Sequence, residues 1–242
     1  MNEIIVARQF RGPPHSGNGG YVCGLMGRLI DGPSTAILRA PIPLDTPHTV
    51  ERDGQAVRLL SAAGELLGEA RPAGDDALPT PPAPPNLERA IAAGRGFPGL
   101  ERPFHPICFT CGDQLVEGEG LRVFTGQVPG GRQGFVAGPW TPHIAFADER
   151  GLIRPEVVWA ALDCPGSVAW VVMQGGGGML GTMTCEVVRP PAAGETCIVT
   201  AWPIEQSGRK KLSGTALFSA DGELLARSHH VWIGRPMQAA AA

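Results

Sequence analysis

Leu60-Ser61-Ala62-Ala63-Gly64-Glu65-Leu66-Leu67 recurs further along the chain as Phe218-Ser219-Ala220-Asp221-Gly222-Glu223-Leu224-Leu225. Each copy reads as the end of an apolar strand, a tight turn around Gly64 or Asp221-Gly222, and a returning strand, which together make an antiparallel hairpin. Upstream the correspondence continues. Thr35-Ala36-Ile37-Leu38-Arg39-Ala40-Pro41-Ile42-Pro43 parallels Thr182-Met183-Thr184-Cys185-Glu186-Val187-Val188-Arg189-Pro190, and both read as strands that stop at proline. Thr49-Val50 and Thr196-Cys197-Ile198-Val199 then open a further strand in each copy. A supersecondary unit written twice calls for two similar halves.

One helical segment precedes each strand set. Gly20 to Ile30 is apolar on nearly every side, and Pro155-Glu156-Val157-Val158-Trp159-Ala160-Ala161-Leu162 opens with proline at the favoured first helical position. A helix apolar all round is a buried one. Each half therefore orders as strand, buried helix, antiparallel strands. Nine of the 24 prolines fall within residues 71–106, including Pro79-Thr80-Pro81-Pro82-Ala83-Pro84-Pro85, which cannot form a sheet interior or a long helix. The expected organisation is a first unit over residues 1–74, a Pro-rich linker over 75–106, and a second unit over 107–242. Within the linker a short helix is expected over Asn86–Ala93, capped by Asn86 and stopped by Gly94.

Composition narrows the function classes. Of 242 residues 43% are hydrophobic, enough for a folded core despite 34 glycines and 24 prolines. The net charge of −3 and a pI near 6.1 offer no basic excess for a nucleic-acid backbone or an anionic membrane. The most apolar stretch, Val157–Met173, is interrupted by Asp163 and Pro165 and is shorter than the roughly 20 residues that cross a bilayer. Met1 to Arg8 carries an early acid and no secretory pattern, so it is expected to be the first strand of a cytoplasmic protein. Cys23, Cys164, Cys185 and Cys197 sit singly in apolar segments and read as reduced core residues. His105-Pro106-Ile107-Cys108-Phe109-Thr110-Cys111-Gly112 has the spacing of a metal knuckle, but no second Cys/His pair matches it, so a turn of buried thiols without metal is expected.

Ile107-Cys108-Phe109-Thr110-Cys111-Gly112 followed by Gly120-Leu121-Arg122-Val123 resembles the opening segment of hot dog fold acyl-CoA thioesterases of the phenylacetate-pathway type. Asn18-Gly19-Gly20 before the first helix resembles their His-Gly-Gly turn. Arg39-Ala40-Pro41-Ile42-Pro43-Leu44 and Ser207-Gly208-Arg209-Lys210 resemble their later strand motifs. The resemblance implies an α+β double hot dog: two units in one chain, each a long central helix wrapped by a curled antiparallel sheet.

It also implies a composite site, in which the helix N-terminus of one unit binds the thioester carbonyl and a carboxylate on the facing helix drives water at it. In that family the acid lies eight residues after the first glycine of the turn. The count from Gly19 ends on Gly27, which cannot act as a base; from Pro155, the equivalent position, it ends on Asp163. One half keeps the turn and the other keeps the acid. The residues support this division in their own right. Glycines at a helix start let a ligand approach, free N–H groups and the helix dipole suit a developing oxyanion, and Asn18 is a good cap. Asp163 among apolar neighbours is expected to have a raised pKa suited to general-base work; the alternative is that it merely ends a helical turn ahead of Pro165.

His15, before the turn, is a further catalytic candidate, although the family carries histidine where Asn18 stands. His143, Arg209 and Lys210 are candidate substrate-binding residues, the basic pair facing the phosphates of coenzyme A. His229 and His230 alternate along the last strand, where packing explains both. No Gly-x-Ser-x-Gly elbow is present, and Gly175-Gly176-Gly177-Gly178 lacks the residues of a phosphate loop. The expected function is hydrolysis of an acyl-CoA or acyl-carrier thioester, without cofactor or metal, in a chain that associates with its own copies. Two alternatives stand beside it: a non-catalytic acyl-CoA binder or sensor, and a hot dog hydratase using His143 and Asp148.

Overall fold

The two repeated octapeptides form matching hairpins in the computed structural model, which describes residues 3–234. The first half contains β1 (Glu3–Ile5), α1 (Gly19–Gly27), β2 (Ser34–Leu38), β3 (Pro47–Asp53), β4 (Ala56–Leu60) and β5 (Leu66–Pro72). Next comes α2 (Leu87–Gly94), and then β6 (Gly126–Gln127), β7 (Val136–Trp140), α3 (Pro155–Gln174), β8 (Met179–Val187), β9 (Cys197–Ser207), β10 (Lys210–Ser219) and β11 (Leu224–Ile233). Met1 and Asn2, the start of the expected first strand, lie outside the described residues.

The hairpin turns agree atom for atom. The Ser61 amide donates to the Glu65 carbonyl and the Ser219 amide to the Glu223 carbonyl, each at 2.9 Å, and in both turns the serine hydroxyl accepts from the amide four residues on. Gly64 and Gly222 supply the positive φ, 80° and 90°, that closes each turn. After β2 the amides of Arg39 and Ala40 both reach the Leu67 carbonyl; after β8 those of Val188 and Arg189 both reach Leu225.

All strands join one antiparallel sheet in the order β1-β3-β4-β5-β2-β8-β11-β10-β9-β7-β6. Read outward from its centre, the first half runs β2-β5-β4-β3-β1 and the second β8-β11-β10-β9-β7, the same order, with β6 added at one edge. The halves meet where β2 pairs with β8, and the pairs Thr35↔Thr184 and Ile37↔Thr182 are related by a local two-fold. The fold is α+β, a double hot dog. A shared core takes Met26 from α1, Trp159 and Leu162 from α3, Leu59 and Met183 from the sheet, and Phe109 from the segment leading into the second half.

The helices differ from expectation in length. The first was expected to reach Ile30 but ends at Gly27, where Leu29 and Ile30 close tighter turns onto Met26 and Gly27 ahead of the Gly32 bend. The second runs the full 20 residues, straight through Pro165, and stops at Gly175 with φ 78°. It is thus long and apolar enough to cross a membrane, yet 72% of its most apolar window is buried inside the protein as the core helix. Burial holds it helical at Pro165 despite the lost amide donor. The linker helix α2 forms as expected, the Asn86 side chain accepting from the Arg89 amide at 3.0 Å. It packs its small face, Ala90 and Ala93, on Ala137 and Ile198 of the second half of the sheet.

Candidate active site

α1 and α3 pack antiparallel, and the sequence of α1 permits a very close approach. A Cβ on Gly20 would lie 2.6 Å from Asp163 Cβ and 2.8 Å from the Trp159 carbonyl; one on Gly24 would lie 2.6 Å from Glu156 Cα; one on Gly27 would lie 2.7 Å from the Trp159 ring. This glycine stripe brings the start of α1 against the middle of α3. There the Gly20 amide donates to Asp163 Oδ2 at 2.9 Å. The turn of the first half and the acid of the second, 143 residues apart in the chain, are in direct contact.

Asn18 organises the helix start. Its Oδ1 accepts from the Tyr21 amide at 2.9 Å, while its Nδ2 donates to Thr110 Oγ1 at 3.2 Å and faces Cys108 Sγ at 3.8 Å. Thr110 in turn donates to the Ala160 carbonyl of α3 at 2.8 Å. An amide side chain can accept on one side and donate on the other without changing charge, which is what a cap tied to the opposite unit requires. Thr110 and Cys108 were not singled out for this role. Their signal was present in the Cys108-Phe109-Thr110-Cys111 segment, but only the fold carries that segment between the helices.

Asp163 is 4% exposed. Burial pushes its carboxyl up to about 7, the nearby Cys108 adds to the rise, and hydrogen bonding from the Gly20 amide and the Asn18 side chain partly offsets it. The alternative role, ending a helical turn, does not hold, because α3 continues for eleven residues beyond it.

The pseudo-symmetric position, where α3 begins against the end of α1, has become an ion pair. Arg28 donates to Glu156 Oε1 at 2.9 Å, and the Glu156 side chain is 3% exposed. Gly27 stands there, filled over by Trp159. Of the two helix junctions, the first sets a carboxylate of one helix against a first-turn amide of the other, and the second sets its carboxylate against an arginine.

The other candidates lie apart from this contact. His15 is exposed on the turn before Asn18. His143 caps a short turn, its Nδ1 accepting from the Ala145 amide at 3.1 Å. The proposed hydratase partner Asp148 is engaged by Arg150 at 2.8 Å and by the Leu152 amide, so the two form no dyad. Arg209 and Lys210 are exposed on the β9–β10 hairpin, near the far end of α3, where Gln174 bonds Gln206 at 2.8 Å. Eleven helical residues separate Gln174 from Asp163, about 16 Å at 1.5 Å per residue. His143 instead lines a cavity of about 790 Å³ between α2, β7 and the loops around Leu121 and Phe146. Asp163 is not in that wall; Phe109 stands behind Phe146, edge-on at 5.4 Å, and packs in turn on Tyr21 of α1.

The cysteines also depart from expectation. All six are free thiols, but Cys164 does not sit singly: its sulfur joins those of Cys108 and Cys111, all within 4.8 Å of one another. His105, the first residue of the expected knuckle, is not in the group.

The architecture is shared with solved structures over nearly the whole chain. A protein named as a thioesterase from Novosphingobium aromaticivorans superposes with a TM-score of 0.62 at 16% identity, covering 96% of this chain and 94% of that one. An acyl-CoA thioesterase II from Mycobacterium marinum gives 0.57 at 16% identity, covering 97% and 92%. A protein from Thermobifida fusca, named as a thioesterase II, gives 0.59 at 12% identity, covering 96% and 92%. At these identities the likeness is one of fold. No protein-family model matches the sequence, and no curated protein matches it.

Proposed function

We propose that the chain is a thioester hydrolase of the acyl-CoA thioesterase kind, working at the junction of α1 and α3. The contact between Asp163 Oδ2 and the Gly20 amide carries this reading. It sets a carboxylate with a pKa near neutrality against the amide end of a helix, which are the two groups that water attack on a carbonyl requires. The shared fold with proteins named as thioesterases supports it.

In the proposed reaction the thioester carbonyl takes the place of the carboxylate at the first-turn amides of α1. Asp163, released from Gly20, accepts a proton from a water as its oxygen attacks the carbonyl carbon. The carbonyl π electrons move onto oxygen, and the helix dipole and amides stabilise that charge. On collapse the C–S bond breaks, the sulfur leaves with the electron pair, and the proton held by Asp163 returns to the thiolate. A carboxylic acid and a free thiol result.

The test is hydrolysis over a panel of acyl-CoA esters by wild type and Asp163→Asn. Asparagine keeps an oxygen for the Gly20 amide, so folding and ligand binding should survive while turnover falls by about 10²–10⁴-fold. Equal rates in the two proteins would defeat the assignment. Wild-type protein that binds acyl-CoA and never hydrolyses it would make the chain a binder or sensor instead.

A further inference from the structure

We propose that Cys108, Cys111 and Cys164 form a three-thiolate site for a soft d¹⁰ cation, zinc(II) or copper(I), that ties the opening segment of the second half to its central helix. The inference does not depend on the hydrolase reading. Cys108 and Cys111 come from one tight turn, closed by the Gly112 amide donating to the Cys108 carbonyl at 2.8 Å, and Cys164 comes from the middle of α3. Their sulfurs converge from two separate segments: Cys108 and Cys164 are 3.7 Å apart, and all three lie within 4.8 Å of one another. Thiolates bound to one zinc at about 2.3 Å stand roughly 3.8 Å apart at tetrahedral angles, so a cation fits among them with small side-chain adjustments. A disulfide would need two of the sulfurs to close to about 2.05 Å and would leave the third unused.

The surroundings suit bound thiolates. The Asn18 side-chain amide faces the Cys108 sulfur at 3.8 Å. Such N–H groups orient ligands and offset negative charge on them. Sulfur-only donors exclude the hard cations calcium and magnesium and favour zinc or copper(I). Among the described residues the group offers these three ligand atoms, which leaves a trigonal site for copper(I) or an open fourth position on zinc. Cys108 and Cys111 flank Phe109 and Thr110, which bridge α1 and α3, so the cation would fasten the same segment that holds Asn18.

The full chain, expressed in medium supplemented with zinc and copper and purified under reducing conditions, should carry about one equivalent of one of these metals by plasma mass spectrometry. The identity of that metal separates the two cations. Titration of metal-stripped protein with cadmium(II) should give a sulfur-to-metal charge-transfer band that saturates at one equivalent, and the metal should shield three thiols from a thiol reagent. Cys164→Ala and Cys111→Ser should each lower metal content at least tenfold, while His105→Ala and Cys197→Ser should retain it. The site is refuted if wild type keeps no metal and shows no cadmium band, if intact mass reveals a disulfide under the same reducing conditions, or if Cys164→Ala holds metal as wild type does. Because the cadmium titration uses wild type, the outcome does not hang on whether a variant folds.

Discussion

Alanine at Gly20 and alanine at Gly24 impose nearly the same steric insult on one helix contact, but only one of them touches the proposed chemistry. At Gly20 the new Cβ would sit 2.6 Å from Asp163 Cβ, 2.8 Å from the Trp159 carbonyl oxygen and 3.1 Å from Ala160 Cα. At Gly24 it would sit 2.6 Å from Glu156 Cα, 2.9 Å from Trp159 Cβ and 3.0 Å from Glu156 Cβ. Every one of these atoms is backbone or Cβ of α3, so no rotamer change relieves the overlap and the helices must shift apart. Overpacking of this kind costs about 1–3 kcal/mol. The two variants should therefore lose similar stability in urea unfolding at unchanged m-value.

Their kinetics should separate. Moving Gly20 carries its amide away from Asp163 and from the position proposed for the thioester oxygen. A displacement of about 1 Å at reacting groups is worth roughly 10²-fold in rate. Gly24 lies one helical turn further on, against Glu156 and Trp159, neither of which is placed in the reaction. Following loss of thioester absorbance with an acyl-CoA that wild type hydrolyses, Gly20→Ala should fall about 10²-fold in kcat and Gly24→Ala should stay within about threefold of wild type. If both variants lose equal stability and equal rate, the effect is one of helix packing in general, and the Gly20 amide has no special place in catalysis.

Two further outcomes follow from buried groups away from that contact. Arg28→Ala should strand the Glu156 carboxylate and cost on the order of 2–4 kcal/mol, reduced from the fully buried case because the Arg28 side chain is 29% exposed. Adding Glu156→Gln should recover most of it; a double mutant no more stable than Arg28→Ala would show that the pair is not the source. His230 is fully buried, and desolvation, with His229 beside it, pushes it down to about 3. Its Nε2 lies 3.3 Å from the Ser228 hydroxyl and its ring packs beside that of Trp232, with centroids 5.5 Å apart. The unfolded chain takes up this proton near pH 6.5 and the folded chain only near 3, so stability contributed at neutral pH is lost between those values as pH falls, at about 1.4 kcal/mol per unit. His230→Gln should lack that slope, and parallel stability curves for the two proteins between pH 6 and 4 would refute the assignment.

Much of the fold was legible because duplication supplies its own control. A single Leu-Ser-Ala-Ala-Gly-Glu-Leu-Leu is a weak hairpin signal, but a second copy with glycine at the same place fixes turn, strand order and unit size together. Asn86 and its helix were legible from local capping chemistry. What could not be read was whatever depends on two segments distant in the chain. Cys164 looked like any core cysteine because its sulfur partners lie 56 and 53 residues upstream, at Cys108 and Cys111. The continuation of α3 through Pro165 was hidden for the same reason: local propensity speaks against it, and only packing on both faces overrules it. Arg209 and Lys210 read as contacts for the phosphates of coenzyme A through the hairpin motif alone; their distance from Asp163, about 16 Å along α3, is set by the helix length and could not be read locally.

On the proposed reading, fusion of the two units lets one junction carry the chemistry alone. With two identical units, each helix start would face an acid, and neither could change without altering both junctions. In one chain the junctions mutate separately. At one of them Trp159 covers Gly27, and Arg28 pairs with Glu156 to close the interface. At the other, Asn18 and Thr110 tie the helix start to α3, and Asp163 stays buried with a raised pKa, an arrangement that costs stability unless something is gained from it. The closed junction supplies cohesion, while the other holds the buried acid. On this argument the Arg28–Glu156 pair and Asp163 are two halves of one solution, and removing the pair should weaken the fold without slowing turnover.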